Sequence, residues 1–235
     1  AGGITPTPNG DNVIDYWTIS STGNATDFGD LLTNVRSTCG YSNSTRMVIT
    51  GGVTAGNAME YITIASTGNA VDFGDKTVNL LQGAGSNSPT RAVVGGGETP
   101  SRVNTIHYFT IATTGNTSDF GDLTRVTSGS FGAGNAVRSL IAGGEDNSAQ
   151  VNGIDYVTIA TLGNATDFGD LTVFTKSGGA GASSSIRAVI AGGADPNKNI
   201  DEVMFASLGN AVKFGDLTYV ENRHGGGTTN CHGGI

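Results

Sequence analysis

An octapeptide, Gly-Asn-x-x-Asp-Phe-Gly-Asp, recurs at 23–30, 68–75, 115–122 and 163–170, and a fifth copy at 209–216 carries Lys213 in place of its first Asp. Recurrence at a period of about 47 residues means that one supersecondary unit has been copied, and such a unit buries its apolar face only against its neighbours. An apolar residue stands nine positions before each of these glycines: Ile14, Met59, Ile106, Ile154 and Ile200. A second series, Arg46, Arg91, Arg138 and Arg187, follows a glycine (Gly40, Gly85, Gly132, Gly181) by six positions and precedes a Gly-Gly pair by five. Its fifth member is His232, six after Gly226; counting five onward and wrapping to the start lands on Gly2.

A series that completes itself across the two ends predicts a ring, which removes the strand edges that would otherwise recruit other chains. The expected fold is all-β: one closed five-bladed β-propeller over 1–235, with four antiparallel strands per blade. Its repeats are 35–75, 76–122, 123–170 and 171–216, and 217–235 joined to 1–34 forms the closing blade, so that the termini share one blade. Within a unit, 187–193 reads as a short apolar strand ended by glycines and 154–160 as a β-branched and aromatic strand. A Gly-Asn turn then leads to a third strand at 165–170. The small-residue segment around Gly181 is placed innermost, where crowding at the axis favours Gly, Ala and Ser. No segment keeps a 3.6-residue apolar period, so helices are not expected.

Composition agrees with a turn-rich β protein: Gly is 38 of 235 residues and only 14% of residues are charged. A net charge of -8 without a Lys/Arg cluster opposes nucleic acid as a partner. Apolar runs are strand-sized, which argues against membrane insertion by a helix. Cys39 and Cys231 occupy different repeat positions and read as free thiols.

The Gly-Gly pair closing an apolar strand, followed by a Tyr-bearing strand, resembles kelch-type propeller repeats, although Trp17 is the only tryptophan and the repeated Trp of kelch units is missing. The longer phrase at 154–172, Ile-Asp-Tyr-Val-Thr-Ile-Ala-Thr-Leu-Gly-Asn-Ala-Thr-Asp-Phe-Gly-Asp-Leu-Thr, is similar to repeats in predicted virion and tail-fibre proteins of marine bacteriophages. The resemblance covers essentially the whole chain. It implies a propeller of kelch-like blades in a virion or extracellular setting.

Nearly all length variation between units falls in the loop after Gly-Gly, at 4–13, 53–58, 98–105, 145–153 and 194–199. Variation confined to one loop class on one face is what a binding surface on a rigid scaffold looks like, and equally what freely drifting surface loops look like. Together with the segments linking neighbouring blades, these loops make the candidate ligand-binding face: Arg36, Glu98, Arg102, Arg125, Glu145, Asp146, Lys176, Asp195, Lys198, Arg223 and His224. Its basic side chains would suit an anionic or polar ligand such as a glycan.

The acids at Asp30, Asp75, Asp122, Asp170 and Asp216 are assigned a structural role, through turn hydrogen bonds and pairing with the Arg46, Arg91, Arg138 and Arg187 series. Calcium is the alternative, since hard oxygen ligands are present without EF-hand or nonapeptide spacing. One group repeated around a ring is unlike a catalytic site, where different groups converge at one point. His107, His224 and His232 fall at three different repeat positions, and no catalytic or metal set is assigned. Phe28, Phe73, Phe120, Phe168 and Phe214 are expected to pack between blades. Glu202 and Lys213 make the fifth copy the most divergent.

Three functions fit: a virion-associated or secreted adhesion module contacting a glycan or host-surface protein, a purely structural component bound to other virion proteins, and a propeller lectin with equivalent sites between blades. No cofactor and no enzymatic activity are expected.

Overall fold

The computed structural model describes residues 1–2, 10–50, 52, 56–79, 81–98, 100–175, 179–193 and 198–218. Strands β1 (Asp11–Tyr16) and β2 (Thr26–Val35) form a two-stranded antiparallel sheet. Four four-stranded antiparallel sheets follow in chain order. The first is β3 (Cys39–Ser42), β4 (Arg46–Thr50), β5 (Ala58–Thr63) and β6 (Val71–Asp75), and the second is β7 (Ala84–Asn87), β8 (Arg91–Gly95), β9 (Val103–Thr110) and β10 (Ser118–Thr127). The third is β11 (Phe131–Gly134), β12 (Arg138–Ala142), β13 (Val151–Thr158) and β14 (Thr166–Thr175), and the fourth is β15 (Ala180–Ser183), β16 (Arg187–Ala191), β17 (Asn199–Met204) and β18 (Val212–Asp216). The chain is thus all-β, with its sheets in a propeller-like arrangement. Among the described residues there is no helix, so none is long and apolar enough to cross a membrane.

The first strands of the four-stranded sheets face one another around a common axis, which places the small-residue segment innermost. A Cβ on Gly132 would stand 2.0 Å from the Gly85 carbonyl oxygen, and one on Gly181 would stand 2.3 Å from that of Gly132. Backbone packs directly on backbone there, and only glycine permits it. The turn from first to second strand is closed by a side chain: Asn43 accepts the N–H of Thr45 and Arg46, and Asn135 those of Val137 and Arg138. Ser88 and Ser184 do the same in their blades.

Each outer hairpin carries a β-bulge. Ile154 pairs with Gly169 and Asp155 with Asp167, so Phe168 is the extra residue, and the other four units skip Phe28, Phe73, Phe120 and Phe214 in the same way. The bulge turns the ring off the strand and into the space between sheets. Phe28, Phe73, Phe120 and Phe168 are buried there, as expected for inter-blade packing. Each lies in a separate apolar cluster shared by two consecutive sheets; Phe120 and Leu123 of one, for example, meet Ile141, Val157 and Ile159 of the next.

The conserved-length octapeptide acts across this boundary. Gly163 N–H donates to the Phe120 carbonyl (2.9 Å), Ala165 N–H to the Asp122 carbonyl (2.8 Å), and Asn164 Oδ1 accepts the Asp122 N–H (3.0 Å). The Gly-Asn turn of one blade therefore clasps the Phe-Gly-Asp strand of the blade before it. The same three bonds join Gly68-Asn69-Ala70 to Phe28 and Asp30, Gly115-Asn116-Thr117 to Phe73 and Asp75, and Gly209-Asn210-Ala211 to Phe168 and Asp170.

The glycine between Phe and Asp is required by the clasp. Gly121 has φ +147°, and a Cβ on it would lie 2.5 Å from the Gly163 carbonyl oxygen. Gly121→Ala combines backbone strain with that collision and should cost about 2 kcal/mol or more. Gly163→Ala, at φ +147° with nothing within 4 Å of its Cβ, carries the strain alone. Thermal unfolding of the two variants checks this: the clasp predicts the larger Tm loss for Gly121→Ala, and equal losses would contradict it.

Candidate functional site

The candidate face is described chiefly at the loops 98–105 and 145–153 and the ends of the outer strands beside them; the loops at 4–13, 53–58 and 194–199 lie partly outside the described residues. Its best-defined part lies between the second and third four-stranded sheets. Here Glu98 and Leu81 exchange backbone N–H···O=C bonds (3.0 and 3.2 Å), and Glu145 exchanges a like pair with Ser128 (3.0 Å each). Both loops are thereby pinned to the chain segment that enters their own blade. Arg102 then ties one loop to the other: its guanidinium donates to Glu145 Oε2 (2.7 Å), Ser128 Oγ (2.9 Å) and the Asp146 carbonyl. The Asp146 carboxylate accepts the N–H groups of Ala149 and Ser148, which hold it below the usual carboxylate range, with Arg102 and Arg125 adding to the effect.

Arg125 lies in the same junction. It donates to Asp155 Oδ1 (3.4 Å) and to the Gly153 carbonyl, and its Nε is buried without a hydrogen-bond partner. The structure thus brings together Arg102, Arg125, Glu145, Asp146 and the backbone of Glu98. Arg36 is half-buried and Lys198 exposed, each at another blade boundary. Lys176, Asp195, Arg223 and His224 lie outside the described residues. The consequence for ligand chemistry is specific: Arg102 pairs with Glu145 and Arg125 with Asp155, so the cluster holds each cation against a carboxylate of the protein. It is not a pair of open cations waiting for an anion.

The expected pairing of the Asp30 series with the Arg46 series is not made. Arg46 sits 4.1 Å over the Tyr61 ring and donates to the Ile111 carbonyl of the following blade (3.1 Å). Arg91 repeats this with Tyr108 and Ile159, and Arg138 with Tyr156 and Phe205. The guanidinium keeps one face on an aromatic ring and one N–H on a neighbour's carbonyl, a geometry that needs no carboxylate. In the fourth four-stranded sheet Glu202 replaces the tyrosine, and Arg187 pairs with it at 2.6 Å. Asp30, Asp75, Asp122 and Asp170 contribute their backbone to the clasp; their side chains are half-buried or exposed. Asp216 pairs with Lys213 at 2.9 Å.

The buried acids that do hold blades together were not singled out from the sequence. Asp155, almost fully buried, accepts the Thr124 N–H (2.9 Å) and hydroxyl (2.7 Å) of the preceding blade, and Asp201 accepts the same two donors from Thr172 (2.9 and 2.6 Å). Glu60 receives the Leu32 N–H at 2.7 Å. These acids stand one residue after Ile154, Ile200 and Met59, and the signal was their recurrence beside a strand that is otherwise apolar.

The junction between the first and second four-stranded sheets departs from this pattern. His107 takes the acid's place and meets Thr77 Oγ1 at 3.1 Å, while Lys76 is buried at the position of Leu31, Leu123 and Leu171. Burial lowers the pKa of both bases. Cys39 and Tyr41, on the innermost strand nearby, are pushed up by burial.

Along the axis the innermost strands line a cavity of about 240 Å³, with Cys39, Tyr41, Gly85, Phe131 and Gly181 on its wall and, among the described residues, no charged side chain. Among the described residues no group of three or more His, Cys, Asp or Glu could hold a metal ion. Compared with known proteins, the chain matches no family model. No curated protein is significantly similar to it.

Proposed function

We propose that this chain is a non-catalytic binding module that presents its variable loops on one face of a closed five-bladed propeller. The ligand is a glycan or a host-surface protein, and the setting that its repeats suggest by resemblance to phage virion and tail-fibre proteins is a virion or the extracellular space. One observation carries the reading: nearly all unit-to-unit length variation falls in the loops after Gly-Gly. Arg102 and Glu145 brace two such loops against each other. Loops fixed before binding lose little freedom on binding, which favours recognition by a preformed surface. Because Arg102 and Arg125 are internally neutralised, the ligand class is polar and hydrogen-bonding, with neutral sugars preferred over polyanions.

A glycan-array screen of the purified chain, with and without calcium, tests this. Saturable binding lost on exchanging the 98–105 loop for the 53–58 loop is expected. Absence of binding to glycans and to host surfaces would replace this reading with a structural component that contacts other virion proteins.

What supports the closed ring is that the first strands of the four-stranded sheets line one cavity, and that the spacing of the Arg46 series, counted on from His232 and wrapped to the start, reaches Gly2. Removing 231–235 should lower Tm by about 5 °C or more, because a strand shared between the termini would lose its ladder; an unchanged Tm would exclude that closure.

A further inference from the structure

Four consecutive junctions between blades are built from one set of contacts, and the two surfaces needed for a fifth are both present and both open. At the four junctions Ile62, Phe109, Val157 and Val203 are buried against the outer Phe of the preceding blade. Trp17 holds that position in the first unit and is 67% exposed; Phe214, the outer Phe of the last unit, is 55% exposed, against 2–7% for Phe28, Phe73, Phe120 and Phe168. Ile19 is 94% exposed, while its counterparts Ile111, Ile159 and Phe205 are buried and Ile64 is 44% exposed.

The polar halves match as well. Gly23, Asn24 and Ala25 stand where Gly163, Asn164 and Ala165 clasp the preceding strand. Among the described residues nothing lies within 4 Å of a Cβ on Gly215, whereas a Cβ on its counterparts Gly29, Gly74, Gly121 and Gly169 would meet the clasping turn at 2.4–2.6 Å. Asp15 stands where Asp155 and Asp201 accept from threonine, and Thr218 stands where Thr124 and Thr172 donate. Arg187, whose counterparts reach a carbonyl of the following blade, is turned back onto Glu202.

We propose that residues 15–25 seat on the 214–218 edge of the same chain and form the fifth junction. Gly23 N–H donates to the Phe214 carbonyl, Ala25 N–H to the Asp216 carbonyl, and Asn24 Oδ1 accepts the Asp216 N–H. Asp15 accepts the N–H and hydroxyl of Thr218. Arg187 leaves Glu202 for the Ile19 carbonyl, and Trp17 packs on Phe214. The occupant is this chain's own first unit because it is complementary residue for residue, and because the same contact between copies would propagate head to tail and leave the edge open again. The inference rests on the ring reading and names the contacts that make the ring.

Trp17 is the only tryptophan, so its fluorescence reports this junction alone. In the full chain at monomeric mass by light scattering, a blue-shifted emission poorly quenched by acrylamide is expected. Phe214→Ser should move the emission to the solvent value and lower Tm by about 6 °C or more. Ile19→Ser, at a position harmless in an open ring, should do the same if the first variant fails to fold. Solvent-like emission in the wild-type monomer would overturn both junction and ring. Shielding unaffected by either variant would overturn the junction and leave the ring, and shielding that appears only as the mass doubles would assign the edge to a second copy.

Discussion

The clasp between a Gly-Asn turn and the Phe-Gly-Asp strand of the preceding blade is the contact on which the rest of this architecture depends. A four-stranded sheet of short strands has two faces to cover and no helices to cover them. The bulge at each outer strand sends a phenylalanine into the inter-sheet space, and the clasp fixes the distance and angle at which the next sheet covers it. One device thus satisfies backbone donors at the turn, buries an aromatic ring and sets the rotation from blade to blade. Gly121 and its counterparts make the approach possible, since the clasping carbonyl occupies the space where a side chain would begin.

Charge is used around this frame in a way that its distribution along the chain does not suggest. The second acids of the octapeptide, among the most visible charges in the sequence, lend their backbone to the clasp at Asp30, Asp75, Asp122 and Asp170, and their side chains are half-buried or exposed. Besides Glu145 in its pair with Arg102, the acids that carry inter-blade contacts are Glu60, Asp155 and Asp201, each bonded to N–H or hydroxyl donors of the blade before it. Arg46, Arg91 and Arg138 reach forward into the following blade in turn. Neighbouring blades are therefore linked in both directions by groups whose desolvation is compensated at once by hydrogen bonds. The junction between the first and second four-stranded sheets has Lys76 and His107 in these places, and burial lowers the pKa of both.

The repeat made much of this legible. Innermost placement of the glycine-rich strand followed from crowding at an axis, and burial of Phe28, Phe73, Phe120 and Phe168 followed from an aromatic at one repeat position. The pairing partner of Arg46 did not follow, because a cation in a row of acids suggests an ion pair, whereas Tyr61 and a carbonyl of another blade become neighbours only after folding. Asp155 was hidden for a related reason: its partners are backbone and hydroxyl groups about 30 residues away, which no spacing rule reveals. For the candidate face, loop length variation was readable, but the Arg102–Glu145 brace, which changes the ligand chemistry, depends on the distance between two loops.

Amide hydrogen exchange at Gly68, Gly115, Gly163 and Gly209 tests the account most directly. These N–H groups sit in outer turns, and each is bonded only to a carbonyl of the preceding blade. If the clasp organises the molecule, they exchange only through the opening that exposes the apolar clusters, with protection close to that of β8 and β12. Exchange at the rate of an unstructured peptide, with β8 and β12 still protected, would show that the blades fold without the clasp and would contradict the account.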